Sequence, residues 1–255
     1  MFNMAELVRN ENMKIYLRTR TWIMIAMLPV ILLGFAVMMK FIVKMTPGGA
    51  FDFMAMGSHL STLAFIFSVI VAGDIVASEF TWGTVKLLLI RPASRSKILL
   101  AKYIAVILFM VTLLAVLFVS SYFIGLLFFG IGVSGPDDGL GRIAAGYGFK
   151  LVDTLMSVTL AFMISSAFRS SSLAIGLSMF LMFTAEPAVG VLSMLQYSWV
   201  KYVLFANTNL EPYFYGGKPL LPGMSLGFSV AMLVIYWVVF YAVAWALFTK
   251  RDVAG

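Results

Sequence analysis

Ionisable side chains are scarce in this chain, so those that interrupt its apolar runs carry whatever chemistry it performs. Eleven Asp and Glu and one His stand among 255 residues, with 18 Lys and Arg and no Cys. Asp74, Asp153 and Glu186 fall within or beside long apolar stretches, where a carboxylate is costly unless it faces protein or water. Asp74 can form a salt bridge to Lys97 or Lys102, or act in transport. Glu79 can pair with Arg91 or Arg95, meet a basic residue on another polypeptide, or stand as a solvated helix-end carboxylate. Glu186 precedes Pro187 near the middle of an apolar stretch. Proline frees a carbonyl there and calls for polar or water compensation. Three readings stay open for Glu186: lining or gating a pathway, shaping a kinked subunit interface, or lying at a shallower depth than mid-span.

Other chemistry is excluded by what the sequence lacks. His59, the only histidine, has no Cys, His or carboxylate set at ligand spacing, so no metal site is expected. Gly-x-x-x-x-Gly-Lys-Ser/Thr is absent, which rules out ATP binding through a P-loop on this chain. No His-Glu-x-x-His occurs, Ala72-Gly73-Asp74 lacks the leading glycine of the intramembrane aspartyl protease pattern, and no Ser, His and acid set is apparent. No catalytic residue is assigned, and the chain is not expected to be an enzyme.

The elements that position these residues follow from hydropathy. Hydrophobic residues make up 62% and charged residues 11%, against about 45–50% and about 25% in soluble domains. Spans of about 20 residues fit six times, at 22–43, 56–77, 98–125, 149–168, 173–195 and 226–249. This predicts an all-α polytopic membrane protein forming a single transmembrane domain over 1–255. Residues 2–20 read as an amphipathic helix lying on the inner membrane surface. Pro29 is expected to kink the first span and Glu186-Pro187 to interrupt the fifth. The apolar run from 98 to 133 would extend about 54 Å as helix and reads as one span loosened at Gly125, Gly130 and Gly132. Residues 196–225 are half-polar and turn-rich.

Charge sets the orientation. With both termini inside, twelve Lys and Arg lie on inner segments: four between Arg9 and Arg20, five between Lys86 and Lys102, then Arg169, Lys250 and Arg251. Six lie outside: Lys40, Lys44, Arg142, Lys150, Lys201 and Lys218. That asymmetry favours cytoplasmic termini. It also explains the net charge of +7 by anionic lipid rather than by nucleic acid.

The segment 79–97 joins spans two and three. Leu87, Leu88 and Ile90 are too few to cross a bilayer and too apolar to remain in water. Gly83-Thr84 can start a short helix, Pro92 disfavours helix at Arg91, and Ser94 or Ser96 can cap the next span. Such a helix can seat its apolar ridge in a partner's groove while Lys86, Arg91 and Arg95 meet acidic rims or lipid phosphate. It can equally be an interfacial anchor.

The run from Ile75 to Arg95 places an acidic residue (Glu79), the Gly83-Thr84 pair, an apolar stretch, then Arg91-Pro92 and Arg95 before span three. It resembles the signature of the ABC-2 family of exporter permeases, and the segment Lys201 to Leu210 is similar to that family's outer loop. The resemblance implies a half-transporter in the bacterial cell membrane, with 79–97 as the coupling helix. Glu79, Gly83, Thr84, Lys86, Arg91, Pro92 and Arg95 would contact a separate cytosolic ABC ATPase dimer carrying ATP and Mg. It further implies an identical or different second permease subunit, and short re-entrant helices in 196–225. Export of a hydrophobic or peptide-like substrate, such as an antimicrobial peptide or drug, is the expected activity. Asp74 and Glu186 are the candidates for a pathway or gate. Two other classes stay open: an ion- or proton-coupled secondary transporter, and an ATPase-associated immunity or sensor subunit.

Overall fold

The computed structural model describes residues 3–45, 47–83, 94–132, 139–168 and 170–250. The chain is an all-α polytopic membrane protein, with no strand among the described residues and six helical stretches long and apolar enough to cross a membrane. Helix is the local solution because a spanning segment must satisfy its own backbone N–H and C=O groups.

Helix α1 (Met4–Tyr16) precedes α2 (Thr19–Val37), which continues as a π-helical stretch, Met38–Val43. The second span is composite: α3 (Ala50–Gly57), a 3-10 turn at Ser58–Leu60 that includes His59, and α4 (Ser61–Asp74). Short α5 (Ala77–Thr81) follows, and then α6 (Arg95–Phe129), α7 (Leu140–Ala167) and α8 (Ser171–Met194). Three short helical pieces come next: a 3-10 turn Ser198–Tyr202, α9 (Leu204–Asn207) and α10 (Glu211–Phe214). The last span is α11 (Leu226–Lys250).

The interruption expected at Glu186-Pro187 is not found. Pro29 lies inside continuous α2, and Pro187 lies inside continuous α8. One missing backbone donor does not end a helix that lipid and its neighbours otherwise enforce. α6 also runs unbroken through Ser120 and Ser121 and ends where Gly130 adopts φ +75°. Gly125 stays helical, and its role is spatial: a Cβ there would sit 3.0 Å from the Ala50 backbone.

The residues group into two compact units. One holds the described parts of Asn12–Ser68 and Leu108–Leu151. Within it Phe53, fully buried, makes tilted ring contacts with Phe35 and Phe129 at separations of 5.9 and 5.3 Å. Thr21 Oγ1 and Trp22 Nε1 donate to the last carbonyls of α1, Ile15 and Tyr16, at 2.5 and 2.8 Å. Lys40 Nζ donates to the Phe128 carbonyl at 2.7 Å.

The other unit holds the described parts of Met1–Glu11, Val69–Ile107 and Val152–Gly255. Small and hydroxylated residues let its helices close in, as is usual between membrane helices: Ser157, Thr159, Ser165 and Ser166 of α7 are all fully buried. Tyr103 of α6 is a hub. Its hydroxyl lies 2.7 Å from Thr159 Oγ1 and accepts from Trp237 Nε1 at 2.7 Å, while its ring packs on Phe162 and Tyr241. Glu11, Asp74, Glu79, Arg95, Lys102 and Glu186 all belong to this unit.

Candidate functional site

One buried ammonium organises one end of this unit. Lys102, early in α6, is fully buried, and its Nζ donates to Glu11 Oε2 of α1 and Glu79 Oε1 of α5, each at 2.7 Å. The carboxylates are themselves 4% and 7% exposed. Distances this short mark charge-assisted hydrogen bonds. A buried cluster of this kind adds little net stability over an apolar core, but losing one member leaves a charge stranded. Its effect is to fix geometry. Three stretches of chain that are far apart in sequence must meet at one nitrogen.

A broken helix lies beside it. α4 ends at Asp74 and α5 begins at Ala77, so Val76 N–H and Ala77 N–H open a new helix and need acceptors. Both donate to Ser165 Oγ of α7, at 3.1 and 3.0 Å. Asp74 Oδ1 accepts from Ser171 Oγ at the start of α8, and Ser171 N–H donates to Thr81 Oγ1 at 3.3 Å. The approach is close because Gly73 has no side chain: a Cβ would stand 3.2 Å from Ile175 Cα.

The far flank of the 84–93 segment is pinned too. Ser94 Oγ accepts from Lys97 N–H at 3.4 Å, so Ser94 caps α6 as its sequence position suggests. Ser96 Oγ instead accepts from Trp245 Nε1 at 2.8 Å, and Arg95 Nη1 donates to the Thr249 carbonyl at 3.1 Å. On the near flank Trp82 N–H and Gly83 N–H close α5, with Gly83 exposed at φ +67°, a left-handed helix end that glycine adopts at no steric cost.

The expected residues therefore separate. Glu79 meets Lys102. Asp74 meets Ser171, and the ammonium of Lys102 is held by two other carboxylates. Arg95 reaches the end of α11. Thr84, Lys86, Arg91 and Pro92 lie outside the described residues, as does the helix expected there. Glu186 is exposed on α8, about 22 Å of helix beyond Ser171, and does not join Asp74. Asp153 sits half-buried midway along α7, not near its end, because that helix begins at Leu140 rather than 149. Glu11 was not singled out by its sequence position. The one signal was its place in an N-terminal helix where an otherwise mixed face buries Leu7 and Ile15.

Comparison with known proteins gives the kinship. The chain is similar to YhcI of Bacillus subtilis, an uncharacterized protein, with 34% identity covering 99% of this chain and 100% of the relative. It is also similar to YdbK of the same species, an uncharacterized membrane protein, with 30% identity covering 94% and 99%. Residues 21–254 match a different family model from the one the 75–95 run resembles, and neither relative bears an ABC-2 name. The resemblance to the ABC-2 family is thereby overturned. By the match over 21–254, this multi-pass membrane protein belongs to the family described as protein of unknown function, DUF2705.

Proposed function

We propose that this chain is the membrane subunit of an exporter, driven through residues 79–97 by a separate cytosolic ATPase that carries ATP and Mg. The observation that supports it is the clamp of Lys102 between Glu11 and Glu79 at 2.7 Å each. It locks both flanks of the 84–93 segment, together with α1, into one buried ionic frame. A force applied to that segment would pass into the second and third spans instead of being lost in a loose loop. The sequence carries no P-loop, which accords with an energy source on another polypeptide. The excess of Lys and Arg on one side supports cytoplasmic termini in a bacterial cell membrane.

The substrate in this reading is hydrophobic or peptide-like. An open groove of about 830 Å³ runs along α6 from Leu108 to Phe123, lined mainly by Val, Ala and Leu. Asn12, Tyr16, Thr112 and Ser120 add polar points, and Asn12 Oδ1 is buried without a hydrogen-bond partner. A substrate N–H could donate to it. Only 17% of the most apolar stretch of α8 and 11% of that of α11 is buried within the chain, against 56% for α7. Those bare faces suit lipid and a second membrane subunit, identical or different.

The test is capture of the tagged full chain from its native membrane. A nucleotide-hydrolysing protein with a P-loop should accompany it, and photo-crosslinkers at positions 87 and 88 should attach to that protein. Crosslinks to phospholipid alone, or transport by the purified chain without nucleotide, would overturn the reading. The second result would favour ion-coupled transport through Asp74 or Glu186.

A further inference from the structure

Opposite charges line one small cavity in the turn-rich region before the last span. Its volume is about 270 Å³, and Glu186 of α8, Asn209, Tyr213 of α10, Lys218 and Phe205 contribute to its wall. That volume falls just under the range of about 300–1,000 Å³ that holds drug-sized ligands, so it suits a small molecule or a headgroup.

The walls are built, not loose. Asn207 is fully buried and its amide donates to the Lys201 and Val203 carbonyls at 2.8 and 2.9 Å, which fixes α9. Tyr213 OH lies 3.0 Å from Ser229 Oγ, tying α10 to α11. Gly216, at φ +69°, turns the chain back so tightly that a Cβ on Gly217 would stand 3.1 Å from Pro212 Cα. That return carries Lys218 to the cavity. Behind it Val189, Val200, Ala206, Leu221 and Met224 form an apolar core. Glu186 and Lys218 are both exposed, so a ligand entering the cavity can reach a carboxylate and an ammonium together. No ion pair joins the two side chains.

We infer that this cavity binds a zwitterion, with an ammonium at Glu186 and an acidic oxyanion at Lys218. Tyr213 and Phe205 offer ring faces to the cationic end, and the Asn209 side chain adds hydrogen-bonding capacity. The chemistry is shared by zwitterionic phospholipid headgroups and by soluble amino-phosphates. The inference is independent of whether an ATPase drives the chain.

Native mass spectrometry of the purified full chain separates the sources. One arm titrates phosphatidylethanolamine against phosphatidylglycerol, which keeps the phosphate and lacks the ammonium. The other titrates free phosphoethanolamine against glycerol phosphate. The chain should favour the zwitterion about tenfold, the worth of one charge-assisted hydrogen bond. Glu186→Gln should erase that preference while leaving the anionic ligand unchanged, and Lys218→Gln should weaken both. Preference in the first arm alone assigns the site to lipid, and in the second alone to a soluble molecule. Equal binding of zwitterion and anion in both arms, or a preference that survives Glu186→Gln, overturns the proposal.

Discussion

Glu79 and Lys102 stand on opposite sides of the 84–93 segment and meet at 2.7 Å, with the lysine fully buried. The contact joins α5 to α6, and Glu11 completes it from α1. Lys102→Ala strands two buried carboxylates and should cost about 3–5 kcal/mol of stability. Replacing the set together, as Lys102→Met with Glu11→Gln and Glu79→Gln, should recover most of that loss. Thermal unfolding in one detergent compares the two variants. A single variant as stable as the parent would mean the cluster holds nothing in place.

The break between α4 and α5 makes a second, separate demand. Ser165→Ala leaves the buried Val76 and Ala77 N–H groups without their acceptor, a loss of about 1–3 kcal/mol for each group fully orphaned. Hydrogen exchange should quicken at residues 76–81 while α11 keeps its protection. Uniform quickening throughout the chain would instead point to global destabilisation.

Span existence was legible because lipid imposes one rule, and all six apolar stretches answered it. The expected 98–125 span extends in the structure as far as Phe129, and the fourth begins at Leu140 rather than 149. Hydropathy registers the bilayer, while a helix can continue beyond it. Partner choice was less legible. Nothing local marks Lys102, twenty-three residues on, as a partner of Glu79. Glu11 could not be chosen from spacing alone, because its partner is ninety-one residues away. Pro187 misled for the opposite reason: a strong local signal yielded to the helix around it.

At Gly73 α4 comes close to α8. Gly73→Val should cost about 1–3 kcal/mol through overpacking, since its first side-chain carbon would already lie 3.2 Å from the Ile175 backbone. Gly176→Ala, on the neighbouring residue with open space around it, is the control and should be neutral or slightly stabilising. Equal effects of the two changes would argue that the approach of α4 to α8 is not tight.

Tyr103 offers a way to measure one hydrogen bond inside the helical packing. Tyr103→Phe keeps the ring contacts with Phe162 and Tyr241 and removes only the oxygen. Thr159 Oγ1 then still donates to the Leu155 carbonyl at 2.7 Å, whereas Trp237 Nε1 loses the acceptor it holds at 2.7 Å. The loss should therefore arise mainly from the tryptophan. Hydrogen bonds between membrane helices average about 0.6 kcal/mol and reach about 1.7, so Tyr103→Phe should fall within that range. In a Trp237→Phe background, where the donor is already gone, the same change should cost less. A double-mutant cycle on thermal unfolding isolates the difference. A coupling of zero would mean that α6 and α11 are joined by the ring stack and not by the hydroxyl.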